Sequence, residues 1–283
     1  MARLIDGRYC RDVYPQVLED LRRRGQRRPS RNGLTYNLDD YTIHVESPLF
    51  ALPTGCGRGL NARIAAAEAI QLIGGFSDPD WLVGIAPSFK KFLEPNGHFW
   101  GAYGERVADQ LGFVVDKLRD DWWSRQAVVT LWDSHLDNHY RNKADYPCTV
   151  ALGFSLGPRH DSLNMRVTMR SNDAWLGLPY DMFQFTQLQL TLANVLGVLP
   201  GTYTHTAWSM HLYHEHVNLS YQVTDRVGLA TEERYPDFGI GNGGDNFDDV
   251  RQRARAIRNG SVALPTDSER WYLDTFAELV VAK

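Results

Sequence analysis

Residues 146–181 read YPCTVALGFSLGPRHDSLNMRVTMRSNDAWLGLPYD, and the fold follows from how this stretch divides. From Cys148 to Leu156 the residues are small or apolar, as in a buried strand. Beyond the turn residues, Leu163, Met165, Val167 and Met169 alternate with Asn164, Arg166, Thr168 and Arg170, which predicts a second strand with one apolar and one polar face. LGLPYD then leads into MFQFTQLQLTLANVLGVL (residues 182–199), apolar on nearly every side and long enough for a central buried helix.

Four side chains in this stretch carry chemistry, and each also has a structural reading. Cys148, after Pro147, is either a small core residue or a nucleophile, and as a nucleophile it needs nearby positive charge to become a thiolate. Arg170 projects from the polar strand face beside Ser171, a pair whose N–H and O–H groups suit a phosphate monoester; a surface ion pair is the alternative. Asp181 with Gln184 three residues on resembles a capping box, so Asp181 is an N-cap that can also face a ligand.

Toward the N-terminus, Asp12 to Arg24 predicts a short helix ended by Gly25, followed by a basic turn, RRPSRNG. LTYNLDDYTIHVESPLFAL predicts a hairpin or bent strand. Asn61 to Ile73 is built of strong helix formers and predicts a buried helix. Glu68 lies in its middle, either buried with a raised pKa or reaching solvent past the alanines. The aromatic run FKKFLEPNGHFWGAY (89–103) predicts a loop that packs or walls a pocket. Glu105 to Arg119 predicts one helix and AVVTLW (127–132) a strand. On the C-terminal side, DDVRQRARAIRNG and SERWYLDTFAELVVA predict peripheral helices.

Composition excludes several classes. With 283 residues, 43% hydrophobic and 23% charged, the chain suffices for one large core and is expected to be a single domain over 1–283. A net charge of −4 and a pI near 6.1 leave no broad basic face for polymeric nucleic acid. No apolar run approaches the roughly 18 residues that a membrane span requires. The three cysteines, Cys10, Cys56 and Cys148, show no paired spacing, which suggests a reducing cytoplasm. His135 and His139 lie in a polar connection. His205, His211, His214 and His216 form a second grouping, but a strand would put His211 with Tyr213 on one face and His214 with His216 on the other, so no metal is expected. GIGNGG (239–244) lacks the strand and helix that a dinucleotide fingerprint requires and reads as a loop.

PC at 147–148, RSND at 170–173, LGLPYD at 176–181 and HLY at 211–213 together resemble the thymidylate synthase family, over about residues 28–218, with 219–283 divergent. The resemblance implies an α/β (α+β) fold, a bent mixed sheet covered by helices, and a homodimer. It implies that Cys148 adds to C6 of a pyrimidine nucleotide and that 5,10-methylenetetrahydrofolate supplies one carbon to C5. Arg28 would be the mobile phosphate arginine, joined by Arg170 and Ser171. Arg125 would cross from the partner subunit, and Gln126 stands where the family has a second arginine. His211 and Tyr213 would bind the sugar 3′-hydroxyl. Glu68 and Tyr103 would organise proton transfer, and Asp173 would contact the folate.

Departures from the family refine the expectation. Synthases carry asparagine where this chain has Asp181. A carboxamide matches uracil, whereas a carboxyl group that accepts from an exocyclic amine and shares a proton with N3 matches cytosine. The resemblance is therefore to the phage deoxycytidylate hydroxymethylase branch, with dCMP as substrate. Phe89 and Phe92 stand where the family usually has two tryptophans, one of which shields the reacting methylene group from water, and the smaller ring at Phe89 agrees with a hydroxymethyl product. Thr149 and Met169 also depart from the synthases. The alternatives are a CMP hydroxymethylase, a dCMP methylase or a thymidylate synthase on the same fold, a histidine-ligated metal enzyme, and a non-catalytic nucleotide-binding protein.

Overall fold

The computed structural model describes residues 3–49, 57–223, 246–260 and 280. Strands β1 (Arg3–Gly7), β2 (Gln26–Ser30), β3 (Gly33–Val45), β4 (Val128–Thr130), β5 (Thr149–Leu156), β6 (Ser162–Met169), β7 (Asn172–Asp173) and β8 (Leu199–Tyr213) form one mixed sheet. Its order is β1-β3-β8-β6-β5-β4, with β2 against β3 and β7 against β8. β8 pairs parallel with β6 and β7 and antiparallel with β3. The helices are α1 (Cys10–Arg24), α2 (Ala62–Gly74), α3 (Pro79–Ile85), α4 (Tyr103–Val107), α5 (Gln110–Asp120), α6 (Leu178–Leu196), α7 (His214–Ser220) and α8 (Phe247–Arg258). α1 and α6 pack on the strands, α2 packs on α6, and α8 covers α2.

The alternation in β6 does what it predicts: Leu163, Met165, Val167 and Met169 are buried. α6 is buried along nearly its whole length between the sheet and α2, so its polar residues need internal partners. Thr186 and Thr191 donate to carbonyls one turn back, and Gln189 Nε2 donates to the carbonyls of Leu163, Gly201 and Thr202. α2 starts at Asn61, whose side chain accepts from the amides of Arg63 and Ile64, and stops at Gly75 in the left-handed region (φ 64°).

The expected hairpin or bent strand is β3, with an irregularity at Asp40. Asp40 has a φ of 52°, and the β3–β8 pairing keeps its register across it, Asp39 opposite Ser209 and Tyr41 opposite Ala207. Along β8 the buried positions change there from Tyr203, His205 and Ala207 to Met210 and Leu212. His211 and Tyr213, of opposite parity to Met210 and Leu212, are thereby left on the other face.

Four expectations require correction. The basic turn is shorter than RRPSRNG, because Gln26–Ser30 pairs with β3 as β2 and only Arg31 and Asn32 turn. The helix expected over 105–119 is two, α4 and α5, because Arg106 ties α4 to Asp137 and to the carbonyls of Trp100 and Leu131 before the chain turns into α5. His214 and His216 lie on helix α7, so the strand-face comparison of these histidines does not apply. Asp181 is not an N-cap: Gly177 holds that position and Asp181 lies inside the first turns of α6. Cys56, GIGNGG and SERWYLDTFAELVVA fall wholly or almost wholly outside the described residues; of the last, only Val280 is described.

Candidate active site

Cys148 stands at the mouth of β5, where Arg170 closes the end of β6 over it. The Arg170 amide donates to the Cys148 carbonyl at 2.8 Å. Its guanidinium donates to the carbonyls of Pro147 (3.0 Å) and Tyr146 (3.2 Å) and lies 3.9 Å from the Cys148 sulfur. The cation demanded by a thiolate is therefore present. Burial nevertheless pushes the thiol up to about 12; Arg170 works against this, while Asp145, Asp181 and Asp173 add to it. The resting group is a neutral thiol, which must lose its proton as it attacks.

Tyr103 opens α4, and its hydroxyl accepts the Thr149 amide at 3.3 Å while its ring stacks on Phe185. α4 comes this close because residue 104 is glycine: a Cβ there would run into the carbonyl oxygens of Phe76 and Gln71. Burial raises the phenol well above its usual range, so Tyr103 is a neutral hydroxyl.

Asp181 is 8% exposed and held at both oxygens. Asn172 Nδ2 donates to Oδ2 at 2.7 Å, and Gln184 Nε2 donates to Oδ1 at 3.1 Å. Gly177 leaves the room for this, since an added Cβ would lie 3.1 Å from Asp181 Oδ2 and 3.2 Å from Asn172 Nδ2. Burial pushes the Asp181 carboxyl up to about 7, and the two donors pull in the opposite direction. Glu68, facing it from α2, is pushed up to about 8 by burial and by the Asp181 charge, and its buried Oε2 has no hydrogen-bond partner among the described residues.

Glu68, Tyr103, Asp145 and Gln184 line an open cleft whose apolar wall includes Phe89 and Phe99. Phe92 packs against Phe89 with ring centroids 6.2 Å apart. On the sheet side, Ser171 Oγ is 3.4 Å from His211 Nδ1, and the His211 and Tyr213 rings meet edge to face at 5.3 Å. Burial lowers the His211 pKa, and Asp173, opposite it in the β7–β8 register, opposes that shift. Asp173 Oδ1 accepts the amides of Trp175 and Leu176, which fixes the turn into α6.

The arginines separate. Arg28 is spent across the hairpin, donating to Asp39 at 2.8 and 2.7 Å and to Gln26. Arg31, which the sequence did not single out, turns between β2 and β3 and its charge reaches Asp145, next to the Tyr146–Cys148 segment. Arg125 and Gln126 are exposed before β4. Among the described residues no three His, Cys, Asp or Glu side chains gather as metal ligands, and no helix is long and apolar enough to cross a membrane.

A mixed sheet with helices packed on it, a cysteine and an arginine meeting at the strand ends and a buried acid in the first turns of the central helix, agrees with the thymidylate synthase fold. The thymidylate synthase family model matches residues 12–259, and the chain belongs to that family. It is 27% identical over 217 residues to the deoxyuridylate hydroxymethyltransferase of Bacillus phage SP01, covering 71% of this chain and 56% of the phage protein. It is 27% identical over 227 residues to the deoxyuridylate hydroxymethyltransferase of Pseudomonas phage M6, covering 76% and 63%. A bifunctional dihydrofolate reductase-thymidylate synthase of Zea mays is 23% identical over 249 residues, covering 77% and 47%. The chain thus spans about half to two thirds of the length of these relatives.

Proposed function

We propose that the chain transfers a one-carbon unit to C5 of a pyrimidine nucleotide, converting dCMP, 5,10-methylenetetrahydrofolate and water to 5-hydroxymethyl-dCMP and tetrahydrofolate. The observation that carries the base choice is Asp181, a buried acid held at both oxygens by N–H donors, where synthases have asparagine. A carboxyl with a pKa near 7 presents an acceptor and, when protonated, a donor to the base edge. An exocyclic amine beside N3 answers that pair.

Cys148 gives up its proton to solvent and bonds to C6 as the C5–C6 double bond opens toward C5, which makes C5 the nucleophile for the folate carbon; Arg170, 3.9 Å from the sulfur, stabilises the thiolate. The phosphate falls to Arg170, Ser171 and Arg31, with Arg28 committed to Asp39. His211 and Tyr213 take the sugar hydroxyl, and Tyr103 relays the proton leaving C5. The folate brings a carbon already at the oxidation level of the product, so no hydride is needed. Its flat ring is assigned to the cavity walled by Phe89 and Phe99, beside Glu68 Oε2, which has no partner among the described residues, with Asp173 as a further contact.

Because two relatives carry deoxyuridylate in their names, a uracil nucleotide is the second reading. Release of the C5 proton from dCMP and dUMP separates the two. Asp181→Asn should move the preference toward dUMP by about 10- to 100-fold, the discrimination of one bidentate base contact. An unchanged ratio sinks the cytosine assignment, and dihydrofolate forming in step with product sinks the hydroxymethyl one.

The unit is proposed to be a homodimer with one single-domain subunit donating Arg125 to its partner's phosphate site. Arg125→Glu and Cys148→Ala should each be inactive alone. Mixed and re-equilibrated, they should regain activity, because each hybrid holds one site with both residues intact. No recovery excludes the shared site.

A further inference from the structure

Behind Asp181 a polar chain runs through the core from Tyr203 and His205 on β8 to Asn172 on β7. The Tyr203 hydroxyl is 2.8 Å from His205 Nδ1, His205 Nε2 is 2.9 Å from Asn172 Oδ1, and Asn172 Nδ2 is 2.7 Å from Asp181 Oδ2. All four residues are buried.

The direction of the chain is fixed at its inner end. His205 Nδ1 is the hydrogen-bond partner of the Tyr203 hydroxyl among the described residues, and burial keeps the phenol protonated, so Tyr203 donates. The ring, held neutral by burial, then carries its proton on Nε2 and donates to Asn172 Oδ1. With its oxygen taken, the Asn172 amide can offer Asp181 only N–H.

A carboxylic acid left to itself can exchange its O–H and C=O ends. One order fits N3 and the amine of cytosine; the other fits N3–H and O4 of uracil. Here the inward side of both oxygens faces N–H donors, so a proton on Asp181 sits on the side facing the base. The oxygens are also unequal: Oδ2 accepts the 2.7 Å bond from the polarised chain and Oδ1 the 3.1 Å bond from Gln184. The better-solvated Oδ2 is the poorer base.

We propose that Tyr203, His205 and Asn172 are positioning residues that confine the Asp181 proton to Oδ1, so that the acid presents acceptor and donor in one order and reads one base. Without the His205 N–H, the Asn172 amide is free to turn over and accept from Oδ2–H, and the opposite order becomes available. The proposal rests on Asp181 facing the pyrimidine edge.

The test is the ratio of kcat/KM for C5-proton release from dCMP and dUMP in competition, with thermal melts as the check on folding. His205→Phe should move the ratio toward parity by about tenfold, as for one lost hydrogen bond at a buried acid. His205→Gln, whose amide N–H can replace Nε2–H, should restore it to within about threefold. If His205→Phe does not fold, Tyr203→Phe decides, with a smaller shift in the same direction. Folded variants that lower both rates equally would make the chain a packing element and overturn the proposal. A wild-type enzyme that prefers dUMP would remove the cytosine assignment and leave the relay standing, provided the variants still move the ratio.

Discussion

Asp181 in the central helix α6 and Glu68 on the adjacent α2 are two buried carboxyl groups that the protein treats oppositely. Asp181 accepts two hydrogen bonds and is backed by a polar chain two residues deeper into the sheet. Glu68 sits on an alanine-rich helix with Oε2 buried and unpartnered among the described residues. Both are pushed up, Asp181 to about 7 and Glu68 to about 8. A group whose lone pairs are already assigned has a fixed orientation, which suits recognition. An acid whose oxygen has no partner incurs a desolvation cost that a water or ligand relieves, and its raised pKa lets it exchange a proton near neutrality. The contrast agrees with the proposed division of labour, base choice at Asp181 and proton traffic at Glu68.

Glu68→Gln is the sharpest way to break that contrast. Loss of a general acid–base group costs about 10²–10⁴-fold, so kcat for C5-proton release should fall in that range. The ratio between dCMP and dUMP should stay put, because a carboxamide in place of the Glu68 acid leaves the donors on Asp181 untouched. A variant that keeps its rate and changes its base preference would exchange the two roles.

Much of this site was legible in the sequence, and the missing parts have physical causes. The period-two pattern of 163–170 placed Arg170 at the end of the polar face, and the apolar run after LGLPYD placed the buried helix. The HLY motif put His211 and Tyr213 on one strand face, opposite the buried Met210 and Leu212. Arg28 pairs with Asp39 across the hairpin while Arg31 stands at its turn, a difference of position that only the β2–β3 pairing reveals. The strand-to-helix switch at Tyr213 carried no signal, since that residue caps α7 without a side-chain hydrogen bond. Tyr203, His205 and Asn172 were invisible as a unit because β8 returns beside β7 only after the whole of α6.

A smaller effect, on stability, sharpens the same contrast through its sign. Below about pH 3 both carboxyls are protonated whether the chain is folded or not, and neither penalises folding. As pH rises from the ordinary value of 4.5 toward about 8, Glu68 stays protonated in the native protein and ionises in the unfolded chain. The native state then binds more protons, so stability falls with pH across that window and levels off above it. Asp181 does the same between 3.8 and about 7, the narrower span reflecting its two donors. Glu68→Gln removes one of these penalties. Relative to wild type in the absence of ligand, it should be nearly neutral at pH 4 and gain about 1–3 kcal/mol by pH 8.5, read from urea midpoints. Parallel curves for wild type and Glu68→Gln would mean that Glu68 is already solvated in solution, and the distinction between a held acid and a poised one would go with it.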